Sequence, residues 1–404
     1  MRAYERLREY VQIHTTSSET SGTHPSFEGE FDLARLLEKQ LKDLGLEQVR
    51  LDEHCYVYGF LPASKGHEGQ KALGLISHMD TSPDASGKDV RMLLHPDYDG
   101  GDLVLPGSGK VMSPALFPFL KDFKGETLIT SDGTTLLGAD DKAGIAEIMT
   151  ALEELITQNI PHGPLWIAFT PDEEIGEGTE FFDLEYFKAD YAYTVDGGDV
   201  QCLEYENFNA ASAKVTITGL SVHPGSAKDK MINASNVAME FHALLPAEER
   251  PEHTEERQGF FHLSEMKGRV AEASLSYIIR DHDRERFEQR KAEIIAAGRK
   301  INEKYRSDLV KVEVKDTYYN MLEKIRPHMH LVEHARNAII HGGMVPVDVP
   351  IRGGTDGAML SYKGLPCPNL GTGGYNFHGN FECISVERMD RATGVLIDII
   401  QSYA

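Results

Sequence analysis

An apolar run at residues 165–169 leads directly into a group of successive acids, and this feature constrains the fold more than any other. The run predicts a strand buried on both faces, which is typical of the parallel sheets of α/β proteins. Such a strand brings the residues that follow it to the sheet edge where ligands bind. Here these residues are Asp172, Glu173 and Glu174. Since most charge runs are solvated, an exposed acidic turn is the alternative interpretation.

Three other segments end in the same way, which weakens that alternative. Residues 72–76 form an apolar run that leads to His78 and Asp80, and a later apolar run leads to Asp196. Asp140 precedes a long helix with an apolar stripe, where capping of the helix is the competing explanation. One acid at a strand end is unremarkable, but four such endings in succession predict a metal site.

Composition excludes several classes of partner. The net charge of −23 disfavours nucleic acids and anionic membrane surfaces on electrostatic grounds. No apolar run approaches the ~18 residues that span a bilayer, and the charged N-terminal segment predicts a surface helix rather than a signal peptide. The four cysteines are scattered without a C-x-x-C spacing, which indicates reduced thiols in a cytoplasmic protein.

The order of predicted elements indicates two domains in the α/β class. Residues 208–320 follow the order βαββαβ, which predicts a complete ferredoxin-like α+β domain. We expect this domain to be a lid inserted into a catalytic domain formed by residues 1–207 and 321–404, with a mixed sheet flanked by helices. Residues 83–133 are rich in glycine, proline and aspartate and give little periodic signal.

The residue types at the strand ends suit a borderline metal ion such as Zn²⁺. His78 and a late histidine, His378, accompany several acids, so one carboxylate can bridge two ions in a hydrolytic site. Glu173 and Glu174 are neighbours that can serve different purposes. One can bind metal while the other acts as the general base for a metal-bound water. The spacing alone leaves open which acid has which role.

The chain resembles a di-zinc exopeptidase superfamily that includes carboxypeptidase G, bacterial dipeptidases and aminoacylase. The five segments that resemble its metal-site motifs are residues 78–81, 138–144, 171–176, 195–198 and 376–379. Further segments resemble the tripeptide aminopeptidase branch of that superfamily, namely residues 223–225 with 233–234, 277–281, 352–358 and 364–369. Together these motifs cover nearly the whole chain.

The resemblance implies two Zn²⁺ ions per chain and a ligand set for each. By this resemblance His78 and Asp196 bind one ion, Glu174 and His378 bind the other, and Asp140 bridges them.

The resemblance also implies the supporting roles. Asp80 would orient the His78 imidazole, and Glu173 would be the general base. Asp141 is equally plausible as a ligand from the residues alone, but the resemblance makes it a helix-capping or supporting acid instead.

Four residues outside the strand ends are candidates for contact with substrate. His223 looks like an exposed loop histidine, but the resemblance implies a donor to the oxyanion of the tetrahedral intermediate. Arg280 has a surface ion pair as its simpler explanation. It can also hold a peptide carboxylate through two parallel hydrogen bonds, a task that Asn233 and Arg352 can share.

The expected function is therefore a zinc-dependent aminopeptidase that removes the N-terminal residue from tripeptides. The alternatives are a dipeptidase or N-acyl amino acid deacylase of the same superfamily, and an inactive metal-binding or oligomeric scaffold. The scaffold is disfavoured because it needs neither Glu173 nor Asp80. Small peptides are the expected partners, and a homodimer through the lid domain is plausible for this superfamily.

Overall fold

The computed structural model describes all 404 residues and divides into two compact units. The first unit comprises Met1–Tyr205, Glu323–Val349 and Thr355–Ala404, and the second comprises Glu206–Leu322 and Pro350–Gly354. The segment Pro350–Gly354 lies within the range 321–404 that the sequence predicts for the catalytic domain. It groups with the second unit because Ile351 donates its backbone N–H to the carbonyl oxygen of Glu206 at 3.0 Å.

Nine α-helices and seventeen strands make up the regular structure. The helices are α1 (Ala3–Tyr10), α2 (Glu30–Asp43), α3 (Ala139–Thr157), α4 (Ala234–His242), α5 (Arg284–Tyr305), α6 (Leu322–Ile325), α7 (His330–His341), α8 (Asp356–Lys363) and α9 (Val386–Gln401). The strands are β1 (Glu47–Leu51), β2 (Val57–Leu61), β3 (Leu73–His78), β4 (Leu93–His95), β5 (Leu103–Val104), β6 (Val111–Met112), β7 (Leu128–Thr130), β8 (Leu165–Thr170), β9 (Tyr191–Gly197), β10 (Cys202–Glu204), β11 (Asn209–Thr218), β12 (Phe260–Gly268), β13 (Glu272–Asp281), β14 (Val310–Tyr318), β15 (Val347–Asp348), β16 (Asn369–Gly371) and β17 (Cys383–Ser385). None of the helices combines the length and apolarity needed to cross a membrane.

An eight-stranded mixed sheet organises the first unit, in the order β1-β2-β8-β3-β9-β16-β10-β15. The central strands are parallel, since β3 runs parallel to β8 and β9, and β9 runs parallel to β16. Strands β2 and β10 join this centre in antiparallel orientation. The predicted α/β class, with a mixed sheet flanked by helices, is therefore confirmed.

Helices cover both faces of the central strands. On one face Ile76 and Ala168 pack in a buried cluster with Leu360 of α8. On the other face α3 lies directly against the sheet, because a side chain at Gly144 would clash with the Ser77 hydroxyl and a β9 carbonyl. This close approach brings the N-terminal end of α3 to the ends of β3 and β9.

The segment with little periodic signal forms small sheets in the first unit. Strands β17, β7 and β4 form a three-stranded sheet, and β5 pairs with β6. A cluster of buried residues that includes Leu120, Phe123 and Cys383 fixes this region, with Phe117 and Phe381 packed against it. Residues 83–133 therefore pack against the loop that carries the late histidine.

The second unit contains a four-stranded antiparallel sheet in the order β12-β13-β11-β14. With α4 after β11 and α5 after β13, this is the topology of a ferredoxin-like sandwich. Alternate residues of β11, from Ala211 to Ile217, face a core that includes Phe241 of α4 and Ile294 of α5. Their neighbours on the same strand are exposed. The pattern of alternation thus decides which face the helices cover.

Candidate metal centre

Parallel strand ends bring the candidate ligands of the first unit together. In the sheet, His78 pairs with Thr170, the last residue of β8, and Ile76 pairs with Thr194. Asp196 lies two residues beyond Thr194, so it sits at the same level as His78. The turn that follows β8 carries Glu173 and Glu174, and the N-terminal turn of α3 carries Asp140. These candidate ligands therefore lie together at one edge of the sheet.

The two carboxylate oxygens of Asp140 face different histidines. Oδ1 lies 3.0 Å from His78 Nε2, and Oδ2 lies 3.1 Å from His378 Nε2. His78 Nε2 is also 3.4 Å from Asp196 Oδ1, and His378 Nε2 is 2.9 Å from Glu174 Oε2. Asp140 thus lies between two groups of potential ligands, one on each oxygen.

Asp80 is fully buried and fixes both the first histidine and the acidic turn. Its Oδ1 lies 3.2 Å from His78 Nδ1 and accepts the backbone N–H of Glu173 at 3.0 Å. Its Oδ2 accepts the backbone N–H of Glu174 at 3.1 Å. His78 Nδ1 also lies 3.1 Å from the backbone carbonyl oxygen of Asp80. Asp80 therefore orients the imidazole through both groups, and its carboxylate sets the direction in which the two glutamates leave the turn.

The electrostatics of the site are those of crowded acids and histidines. Burial lowers the pKa of His78, but the carboxylates of Asp196, Asp140 and Asp80 outweigh it and raise the pKa well above its usual value. Hydrogen bonds with Asp140 and Glu174 raise the pKa of His378 to about 11. Both histidines therefore respond strongly to the surrounding negative charge.

The acids divide into one that remains ionised and others that resist ionisation. Burial opposes ionisation of Asp140, but hydrogen bonds with His378 and His78 hold its pKa below the usual range. Burial raises the pKa of Asp196 to about 8 against the opposing effect of His78. Burial, reinforced by Asp196, raises the pKa of Glu173 well above its usual value. A buried group of carboxylates of this kind is stabilised by added positive charge.

These residues fit divalent cations. Two sets of ligand atoms lie within 4.8 Å of one another, His78 with Asp140 and Glu174, and His78 with Asp141 and Asp196. Within these sets one carboxylate oxygen of Glu174 and one of Asp141 are buried without a hydrogen-bond partner. Imidazole nitrogen and carboxylate oxygen are the donors that Zn²⁺ and similar ions bind in proteins.

Asp141 does not cap α3. Its carboxylate accepts the Ser77 hydroxyl and, at 3.1 Å, the backbone N–H of His78, so it binds the end of β3. The carboxylate is fully buried, and burial raises its pKa well above the usual value. The sequence could not separate this acid from Asp140, because the distinction depends on which strand each side chain reaches.

Two further acids of the site were not anticipated. Asp356 is buried at the start of α8, where its Oδ2 accepts the Thr170 hydroxyl at 2.9 Å, and burial raises its pKa to about 6. Glu382 is buried beside the loop that leads to Asp140 and accepts that residue's backbone N–H at 2.9 Å. The available signals were the acid that follows a glycine-rich loop and the acid closest after His378.

A third group of acids and a histidine lies behind the acidic turn. His24 Nδ1 is 3.3 Å from Asp172 Oδ2 and 3.8 Å from Glu177 Oε2. Asp172 also accepts the backbone N–H of Ser26 at 2.7 Å and donates its own N–H to Glu30. These contacts attach the base of the turn to the N-terminal segment.

The four substrate candidates belong to the second unit, whereas the five candidate metal ligands belong to the first. His223 Nδ1 accepts the backbone N–H of Gly225 at 3.1 Å, and Asn233 caps α4 through the N–H of Ser235. Both therefore have local structural roles.

The two arginines differ in how their guanidinium groups are held. Arg352 donates to the carbonyl oxygens of Glu256 and Gln258 at 2.7 and 3.2 Å, and also to Thr254. Arg280 donates to the carbonyl of its neighbour Ile279 at 3.1 Å, and burial lowers its pKa. The geometry makes Arg352 an anchor for the loop that contains Glu256.

Comparison with known proteins supports the same interpretation. Residues 127–402 match the sequence profile of Peptidase family M20/M25/M40. Peptidase T of Clostridium perfringens is 52% identical over 404 residues, covering 100% of this chain and 99% of that protein. Peptidase T of Caldanaerobacter subterraneus is 53% identical over 401 residues, covering 99% of this chain and 98% of that protein.

Solved structures share the fold over the full chain. The aminopeptidase PepT from Bacillus cereus has a TM-score of 0.80 at 25% identity, covering 100% of this chain and 98% of that one. A tripeptidase from Staphylococcus aureus has a TM-score of 0.79 at 22% identity with the same coverage. The resemblance stated from the motifs is therefore confirmed, and the chain belongs to Peptidase family M20/M25/M40.

Proposed function

We propose that this peptidase is an aminopeptidase that releases the N-terminal residue of tripeptides with the help of two Zn²⁺ ions. The observation that carries the proposal is the position of Asp140, whose two oxygens each lie about 3 Å from a different histidine. The substrate class rests on the relatives named peptidase T and on the structural neighbours named aminopeptidase and tripeptidase.

The proposed ligand set assigns His78 and Asp196 to one ion and Glu174 and His378 to the other, with Asp140 between them. Bound by these residues, the ions would supply Lewis acidity for the scissile carbonyl and for the ionisation of water. All other steps belong to the protein's own side chains.

Glu173 is the proposed general base. It accepts a proton from the water whose oxygen bonds to the scissile carbonyl carbon, and it returns that proton to the amine nitrogen as the C–N bond breaks. A carboxylate can make both transfers, and burial raises the pKa of Glu173, which makes its ionised form a stronger base. Asp80 holds the backbone of this residue and thereby directs its side chain.

The second unit supplies the proposed substrate contacts. His223 donates a hydrogen bond to the oxyanion of the tetrahedral intermediate, and Arg280 binds the C-terminal carboxylate of the tripeptide. Asn233 and Arg352 were proposed to share this task, but their own contacts make them supports of α4 and of the loop around Glu256. Arg280 is therefore the preferred carboxylate ligand.

A substrate panel tests the proposal. Protein reconstituted with Zn²⁺ is assayed side by side on a tripeptide, the dipeptide that shares its N-terminal residue, and the N-acetyl derivative of that residue. We expect the tripeptide to have the highest kcat/KM and the released N-terminal amino acid to be the product. Faster hydrolysis of the acetyl derivative would establish the deacylase alternative, and faster hydrolysis of the dipeptide would establish a dipeptidase.

We also propose a cytoplasmic location and a homodimer. All four cysteines are unpaired and three of them are buried, as expected of a protein in a reducing compartment. Light scattering coupled to size-exclusion chromatography determines the oligomeric state, and a mass near 45.0 kDa would show a monomer.

A further inference from the structure

Helix α3, which carries Asp140, begins without a capping side chain of its own. Its N-cap position is Gly138, which has a φ of 80° and offers no side chain to the first backbone N–H groups. The first turn of a helix leaves such donors without intrahelical partners. In addition, Asp140 itself has non-helical backbone angles. Something other than the helix must therefore hold the backbone that presents this carboxylate.

Glu382 provides the missing acceptors from a distant part of the chain. Its Oε2 accepts the backbone N–H groups of Leu137 and Gly138, both at 2.7 Å, and its Oε1 accepts that of Asp140 at 2.9 Å. The side chain is 1% exposed, so water does not compete for these bonds. Both oxygens of one carboxylate are thus used to fix the short segment that ends at Asp140.

The segment that carries Glu382 is itself held on both sides. Tyr375 and Cys383 exchange backbone hydrogen bonds of 2.8 and 3.0 Å, which closes the loop around His378. Strand β17 continues from Cys383 and pairs with β7. The Asn380 side chain donates to the carbonyl oxygen of Gly133 at 2.7 Å. The distance along the chain from His378 to Glu382 is short, and the segment between them has little freedom.

We propose that Glu382 is a positioning residue that sets Asp140 relative to His378, so that one aspartate serves both cation positions. The inference rests on the proposed ligand assignment. It adds that the cation position formed by Glu174 and His378 depends on the hydrogen bonds that the Glu382 carboxylate accepts from backbone N–H groups. A role in folding alone would leave the affinities of both cation positions unchanged.

The test compares Glu382→Gln with wild-type protein in two measurements. The amide group of glutamine has a single acceptor oxygen and directs an –NH₂ at a backbone donor, so one of the two groups of N–H bonds is lost. In metal-free protein we expect faster hydrogen exchange at the amides of Leu137, Gly138 or Asp140. In stepwise Zn²⁺ titration against a chelator we expect one of the two ions to lose about 10–100-fold in affinity, as is typical when a group that orients a ligand is removed.

Glu387→Gln is the matched control. Glu387 also accepts a backbone N–H, that of Thr127 at 2.7 Å, together with the Thr127 hydroxyl at 3.2 Å. Its carboxylate has no contact with the segment at residues 137–140. We expect this variant to lower thermal stability without changing either Zn²⁺ affinity.

Glu382→Asp provides a second variant in case the glutamine protein does not fold. It keeps the charge on a shorter side chain, and we expect a smaller loss of affinity at the same cation position. Unchanged affinity for both ions in a folded Glu382 variant, at any rate of amide exchange, would overturn the inference. Equal losses in the Glu387 control would also overturn it. Failure of the wild-type protein to bind two ions would instead refute the proposed function, and that result requires no variant.

Discussion

At the level of single residues, adjacent acids in this chain have separate surroundings and therefore separate expected roles. Glu174 lies against His378, whereas Glu173 is partly buried and lies near Asp196. Their backbone N–H groups bind different oxygens of Asp80. One carboxylate below the turn thus directs two neighbouring side chains to different positions.

The Glu173→Gln variant tests whether Glu173 is the general base and not a metal ligand. The amide keeps the shape of the side chain, and the proposed ligands are elsewhere, so we expect two ions to remain bound. Loss of the proton acceptor should lower kcat by about 10²–10⁴-fold. Metal analysis together with steady-state kinetics checks both parts. Glu174→Gln is the neighbouring control, with weakened metal binding as its expected main defect. A Glu173→Gln protein with nearly normal kcat would assign the base to another residue.

Glu147 offers a test of buried charge away from the site. This side chain in α3 is fully buried, neither carboxylate oxygen has a hydrogen-bond partner, and burial raises its pKa well above the usual value. The unfolded chain releases the proton near pH 4.5, whereas the folded chain retains it. Above that pH the folded state binds more protons, so the free energy of unfolding falls as the pH rises.

Glu147→Gln removes this dependence because the amide does not titrate. We expect the variant to gain stability relative to wild type as the pH rises above about 4.5. Urea denaturation at several pH values measures the difference, and Glu154→Gln on the partly exposed part of the same helix is the control. A difference between wild type and Glu147→Gln that stays constant with pH would contradict the expectation.

At the level of elements, the strands and helices that position the site could be predicted from local patterns. The apolar runs that became β3, β8 and β9 are long enough to read from the sequence. The sheets within residues 83–133 could not be predicted, because strands of two or three residues leave no periodic signal. One of these strands, β7, pairs with β17, which is distant in sequence.

The Ser385 cap gives a prediction for α9. Its hydroxyl oxygen accepts the backbone N–H of Arg388 at 3.1 Å and donates to Glu126 at 2.6 Å. Ser385→Ala should lower the free energy of unfolding by about 0.5–2 kcal/mol. Chemical denaturation measures the change. Ser385→Thr keeps a hydroxyl in the same place and should lose less, and an equal loss in both variants would show that the hydroxyl is not the cause.

At the level of the whole molecule, the site depends on proposed ligand residues and on residues that support them, and only the first kind could be recognised in the sequence. The proposed ligand residues stand in motifs, so His78, Asp140 and Glu174 could be named as candidates from the sequence. The supports could not, because Glu382 and Asp356 act through contacts between segments far apart in the chain. The spacing of residues in a single sequence does not show which distant segments are in contact.

The proposed recognition of the tripeptide C-terminus by Arg280 belongs to the same scale. Arg280 is half-buried with its guanidinium 5.1 Å from the centre of the Tyr318 ring, and burial lowers its pKa, so an anion would stabilise its charge. If this residue binds the substrate carboxylate, Arg280→Ala and amidation of the tripeptide C-terminus should remove the same contact. Each should lower kcat/KM by about 10–150-fold, which corresponds to roughly 1.5–3 kcal/mol.

A double-mutant-type cycle checks this prediction. The losses from Arg280→Ala and from the amide substrate should not add, because they remove two partners of one interaction. Arg269→Ala, which removes an exposed arginine of the same unit paired with Glu272, should leave kcat/KM unchanged for both substrates. Fully additive losses would show that Arg280 does not bind the substrate carboxylate.

The grouping of Pro350–Gly354 with the second unit limits how this enzyme can exchange parts with its relatives. A chimera that imports Glu206–Leu322 from another member would keep the host's Arg352, whose hydrogen bonds go to Thr254, Glu256 and Gln258. Pro350–Gly354 has to come from the same parent protein as Glu206–Leu322. Recombination only at the two ends of Glu206–Leu322 would therefore separate Arg352 from the residues that it binds within the same compact unit.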